Sequence, residues 1–295
     1  MIQAFPTLLR IHDIEWKMPL TGPVHGFTLQ QDLERDCVYV FGKAKEGYFR
    51  LRIEAHDNGF HIESEKGPLE SDLIKAENQL SLQKPCERLS LGSHKAQDWD
   101  LVKRRMDLQE ILPVLFCLGQ KVPFIPPQPF TGTAQLLKLP DERKDLERAL
   151  LSFVKAGFKG MLVPRLTDDE HQGFIPASVE KGNPFFLLAE GAKMIRSLFF
   201  KQNERRLSFL PHLPISFDAG RMVGLIAPGI GTLDFEWSKK LLRRVNIRAE
   251  ISGEVILELQ KEIQTFRANK KKKLKKGEPL LLEAGKTIHL DRFEK

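Results

Sequence analysis

The chain has 295 residues with 41% hydrophobic composition, enough for one large or two ordinary domains around a substantial core. No run of eighteen apolar residues is available to span a bilayer, and the opening MIQAFPTLLRIHDIEW lacks the pattern of a secretory signal, so a cytoplasmic protein is expected. The formal charge of +7 is concentrated: Ser238 to Lys276 holds thirteen Lys or Arg against four Glu, an excess of nine that leaves the remainder at minus two.

From about Leu8 to Leu82 short alternating runs are broken by Gly, Pro, Asn and Asp, with VYVFG, YFRLRIEA and GFHIESE as the clearest strands. Asn58-Gly59 suits a tight hairpin turn between the last two. Residues 1–97 therefore read as a β-rich module. Cys37, Cys86 and Cys117 are widely spaced and odd in number, which fits structural thiols in a reducing compartment.

From Asp98 the apolar period becomes helical, through Trp99, Val102, Met106, Ile111 and Leu115. Two helices divided near Met106 fit best, with Asp107 and Glu110 in capping-box relation and Pro113 unfavourable to one long helix. VPFIPPQPF, residues 122–130, reads as a proline-rich, partly extended connector. A third helix over about Asp141 to Lys155 stops at Gly157, and a fourth starts at Asn183-Pro184 and runs to about Lys201. Residues 98–206 are thus a helical region.

Six further strands follow, MVGLI, TLDFEW, VNIRAEI, EVILEL, PLLLEA and TIHLD, which make residues 207–295 a C-terminal antiparallel β-sandwich. The expected class is α+β: an N-terminal antiparallel β module, a helical middle of about four helices, and the sandwich.

Within the last third, Leu210-Pro211-His212-Leu213-Pro214 is followed by the strand Gly220 to Leu225, with Val223 and Gly224 inside it, and by an alternating strand from Leu233 to Trp237. Ala284-Gly285-Lys286-Thr287 then precedes a closing apolar strand. Together these resemble the junction that follows the helical barrel in α-L-fucosidase-type glycoside hydrolases, and the likeness covers about residues 174–295. The resemblance implies the end of a six-hairpin barrel joined to a C-terminal sandwich. It also implies a catalytic carboxylate in an Asp-Gly-Asn turn before the last barrel helix. Lys181-Gly182-Asn183 stands at that turn, so a lysine occupies the position of the general base.

Glycoside hydrolysis uses two carboxylates about 5 to 5.5 Å apart for retention or about 6.5 to 9.5 Å apart for inversion. The resemblance points to Glu180 and Glu190 as the candidates; Asn183 and His212 are candidate substrate-binding positions. Trp16 is a further candidate sugar platform, whereas Trp99 and Trp237 sit in core-facing patterns. His94 and His171 lie in polar loops without a second histidine at ligand spacing, and no metal or cofactor is assigned. The run NKKKKLKKGEP reads as a protruding hairpin whose Lys270, Lys271, Lys272, Lys273, Lys275 and Lys276 could hold phosphate groups of nucleic acid or another polyanion.

The preferred reading is a glycoside-hydrolase-related protein without a complete catalytic site, acting as a carbohydrate-binding or structural protein. The alternatives are an active glycoside hydrolase using Glu180, and a basic anion- or nucleic-acid-binding accessory protein.

Overall fold

The computed structural model describes residues 2–11, 14–32, 35, 37–56, 59–75, 87–92, 98–160, 162–173, 182–270 and 272–295. The fold is α+β, and the chain divides into two compact units, Met1–Lys84 and Pro85–Lys295.

In the first unit β1 (Ile2–Phe5), β2 (Leu8–Ile11) and β3 (Ile14–Lys17) form a three-stranded sheet. The strands β4 (His25–Asp32), β5 (Cys37–Ala44), β6 (Gly47–His56), β7 (Gly59–Lys66) and β8 (Asp72–Lys75) form an antiparallel meander. Strict alternation sends Phe49, Leu51 and Ile53 of β6 inward with Ile62 of β7, onto Leu9 and Ile11 of β2. The intervening residues Arg50, Arg52 and Glu54 face outward and are tied into ion pairs. The three clearest expected strands are present. The β6–β7 pairing runs out to His56 opposite Gly59, so the two connecting positions are 57 and 58, which lie outside the described residues. Gly59 (φ 144°) is thus the first residue of the returning strand rather than part of the two-residue connection.

The second unit opens with β9 (Arg88–Leu91) and the helices α1 (Trp99–Arg105), α2 (Leu108–Gln120) and α3 (Leu146–Gly157). A short pair, β10 (Phe158–Lys159) and β11 (Val163–Pro164), then precedes α4 (Phe185–Phe199). The division between α1 and α2 falls where expected: Met106 adopts the left-handed conformation at φ 52°, and Asp107 restarts the helix by accepting from the Gln109 N–H at 2.9 Å. Pro113 does not end α2 but sits inside it. Gly157 closes α3 without a positive φ, and the chain passes directly into β10. Asn183 caps α4, its Oδ1 accepting from Phe185 N–H at 3.0 Å, and Pro184 follows with helical dihedrals.

Ten strands complete the unit: β12 (Phe200–Asn203), β13 (Arg206–Phe209), β14 (Gly220–Ala227), β15 (Gly231–Ser238), β16 (Leu241–Ala249), β17 (Gly253–Glu258), β18 (Thr265–Ala268), β19 (Lys272–Lys275), β20 (Leu280–Leu282) and β21 (Thr287–Glu294). They form a seven-stranded sheet in the order β19-β18-β21-β16-β15-β14-β9 and a four-stranded sheet β12-β13-β17-β20. All six expected strands are found. The four additional ones include β19, so part of the lysine run is an edge strand, paired as a hairpin with β18.

Helices and sandwich share one core. The last turn of α4 delivers Phe199 against Trp237 of β15 with ring centroids 5.3 Å apart, and Phe217 stacks on Phe199 at 6.2 Å. From the opposite sheet Phe209 meets Phe235 edge-on at 5.2 Å.

The residues that carried the family likeness sit at this junction. Leu210 and His212 donate their backbone N–H groups to Phe199 O and Leu198 O at 2.7 and 3.1 Å, so the Leu-Pro segment satisfies the last carbonyls of α4. Leu210 and Leu213 are buried beneath it. A β-carbon at Gly220 would lie 2.4 Å from the Trp237 ring, so only glycine fits there. Gly224 (φ 69°) occupies a bulge in β14, where its N–H reaches Asp234 Oδ1 at 2.8 Å.

Candidate functional site

A groove of about 460 Å³ runs along α4 in the second unit. Its floor exists because α2 and α4 approach closely: a β-carbon at Gly119 would meet Ala192 Cβ at 2.6 Å and Leu188 O at 2.2 Å. The proline-rich segment 122–130 forms one wall, since it cannot fold into helix or sheet and lies extended instead. Phe124 projects from that wall 88% exposed, and Phe130 leans edge-on against Phe186 at 5.4 Å. An aromatic ring this exposed carries apolar surface that a ligand could cover.

Polar groups line the rest. Glu190 bonds Lys193 at 2.6 Å one turn along α4. Gln128 grips Asn183 by its backbone on both sides, accepting from the N–H and donating to the carbonyl, each at 3.1 Å. At the far end Glu87 receives both Nε and Nη2 of Arg196, at 2.8 to 3.1 Å, together with Ile226 N–H at 3.0 Å. Gln120 clamps the Glu87 backbone in turn. Among the described residues, the two acidic side chains that line the groove each accept hydrogen bonds from a cationic side chain.

The expected site residues distribute as follows. Glu190 on α4 lines this groove, and Asn183, just before α4, is bonded to the groove residue Gln128, but Glu180 and Lys181 lie outside the described residues, as do Cys86 and His94. His212 is at the other end of α4, roughly 20 Å from Asn183 for a fifteen-residue helix rising about 1.5 Å per residue. There its Nε2 lies 2.9 Å from Lys201 Nζ. Burial, and secondarily the Lys201 charge, hold its pKa below the ordinary histidine value despite opposition from Asp141. The ring is a neutral acceptor for the lysine.

Trp16 belongs to the first unit, half-buried against its core, with its indole N–H donated to Asp72 at 2.8 Å. Trp237 is buried as expected. His171 is an exposed turn residue at φ 51°. Cys117 has its thiol pushed up to about 11 by burial, and burial also raises Cys37, so both are poor nucleophiles.

The lysines are only partly grouped. In β19, Leu274 turns inward beside Phe266 while Lys273 and Lys275 alternate outward. Lys273 pairs with Glu294 at 3.0 Å and Lys276 donates to Gln260 O at 2.9 Å. Lys270 sits in the turn at φ 58°; Lys271 and the side chain of Lys272 lie outside the described residues.

Sequence reasoning missed Phe124, Gln128, Lys193, Glu87 and Arg196. Three separated segments build the groove, and no local pattern marks the residues that meet there.

Residues 202–287 match the profile of glycoside hydrolase family 95, C-terminal domain. The match runs from β12 to the start of β21, so this part of the sandwich is similar to the C-terminal domain of those glycoside hydrolases. No curated protein matches the chain. Among the described residues no helix is long and apolar enough to cross a membrane.

Proposed function

We propose that the protein is a carbohydrate-binding relative of family 95 glycoside hydrolases that holds a sugar chain in the groove along α4, without an acid and base pair of its own. The likeness of the sandwich to the hydrolase C-terminal domain carries this reading. The groove supplies what a sugar needs: the exposed Phe124 ring for an apolar sugar face, with Gln128, Glu190 and Lys193 for hydroxyls. Lysine in place of the family aspartate at position 181 supports binding without hydrolysis. Fucose-containing glycans are the first class to try, on the sequence resemblance to α-L-fucosidases.

The test is calorimetric titration of the full chain with fucosylated and galactosylated oligosaccharides, alongside a chromogenic α-L-fucoside to detect turnover. Binding of one glycan class is expected, weakened about tenfold in Phe124→Ala, which corresponds to about 1.4 kcal/mol of lost stacking and contact. Because Phe124 is almost wholly exposed, its removal should leave the melting temperature unchanged. Binding that ignores Phe124→Ala would place the sugar elsewhere, and turnover abolished by Glu180→Gln would establish an active hydrolase instead.

A further inference from the structure

The outward face of the β6–β7 hairpin in the first unit gathers three side chains of metal-ligating type. Alternation along β6 puts Glu54 and His56 on one face, and the strand register sets His61 directly across from Glu54. The donor atoms of all three lie within 4.8 Å of one another. The two imidazole rings are 6.2 Å apart between centroids and inclined at 75°. Glu54 is held in an informative way: Arg52 Nη1 lies 3.6 Å from Oε1, while Oε2 faces His56 Nε2 at 3.8 Å. Arg52 is itself paired with Glu63, so it fixes one carboxylate oxygen and leaves the other toward the imidazoles.

We propose that Glu54, His56 and His61 form a binding site for a divalent first-row transition-metal ion. Two imidazole nitrogens and one carboxylate oxygen suit Zn²⁺, Co²⁺, Ni²⁺ or Cu²⁺, whereas Mg²⁺ and Ca²⁺ prefer all-oxygen sets. Bonds of about 2.0 Å place tetrahedral donors about 3.3 Å apart, so the three groups close on the ion by side-chain rotation alone. His56 is exposed and His61 and Glu54 are half-buried, so this rotation displaces no core residue. Three protein ligands leave at least one coordination position for water or an incoming ligand. The bound ion links the last ladder pairs of the hairpin across residues 54, 56 and 61. Glu54-Ala-His56 followed by His61 is not a familiar ligand spacing, and the hairpin register alone brings the histidines together.

The experiment uses the full chain without a polyhistidine tag, with Zn²⁺ in calorimetry and Co²⁺ in visible absorption. One ion per chain is expected, with a Co²⁺ d–d band. Outer-shell changes alone cost about 10–100-fold in metal affinity, so His61→Ala should weaken binding at least about tenfold, and His56→Ala with His61→Ala should abolish it. His289→Gln should leave it intact. Circular dichroism of each metal-free variant reports folding; if an alanine variant fails to fold, His61→Gln, which keeps the side-chain volume, is read by the same two assays. No saturable binding by about 1 mM Zn²⁺, or unchanged affinity once both histidines are replaced, overturns the site.

Discussion

His212 shows how a residue suggested by family likeness acquires a different meaning in its surroundings. Its backbone N–H caps α4 and its ring accepts from Lys201, both structural tasks at the helix-to-sandwich junction. The sign of its pH effect follows from its depressed pKa. In the unfolded chain histidine takes up a proton at about pH 6.5, while the folded ring resists it, so this residue subtracts stability as pH falls through and below that value. His212→Gln keeps an acceptor for Lys201 and removes the titration. The fall in melting temperature between about pH 7.5 and pH 5.5 should therefore be smaller in the variant than in the parent. An equal fall in both proteins would show that other groups govern the acid side.

Among the elements, β19 joins a local charge pattern to a topological role. It is the outer strand of the seven-stranded sheet, and an unpaired edge is a template for association with another chain. Leu274 anchors it at 3% exposure while Lys273 and Lys275 point away, an arrangement that keeps a buried register and a repellent rim together. Lys273→Val with Lys275→Val should leave secondary structure intact but increase self-association, measured by light scattering at rising concentration. Loss of heparin retention in the same variant, without self-association, would instead favour polyanion binding by this hairpin. The alternating patterns of β6, β15 and β21 were legible in the same way, because a period of two survives any tertiary context. Strands β12 and β13 were not legible: they are four residues each, and β12 continues without a break from the last turn of α4.

At the scale of the molecule, each unit has a core of its own among the described residues. Every buried member of the larger core lies between Leu89 and Phe293, and that of the smaller between Leu9 and Ile74. Residues 85–295 expressed alone should therefore unfold in one cooperative transition with native-like near-ultraviolet circular dichroism from the Trp237 cluster. A molten product would mean that this core depends on the first unit. The amino-acid sequence by itself determined the α+β class, the capped helix at Asn183, the α1–α2 break at Met106 and the sandwich with its hydrolase likeness. Those features depend on periodicity, caps and glycines, which act over a few neighbouring residues. Only the tertiary structure decided that Glu87 and Arg196 pair across 109 residues, that segment 122–130 walls a groove, and that His56 and His61 converge beside Glu54. Such meetings depend on helix packing and strand register, which arise from the summed burial of the whole core and leave no local signature in the chain.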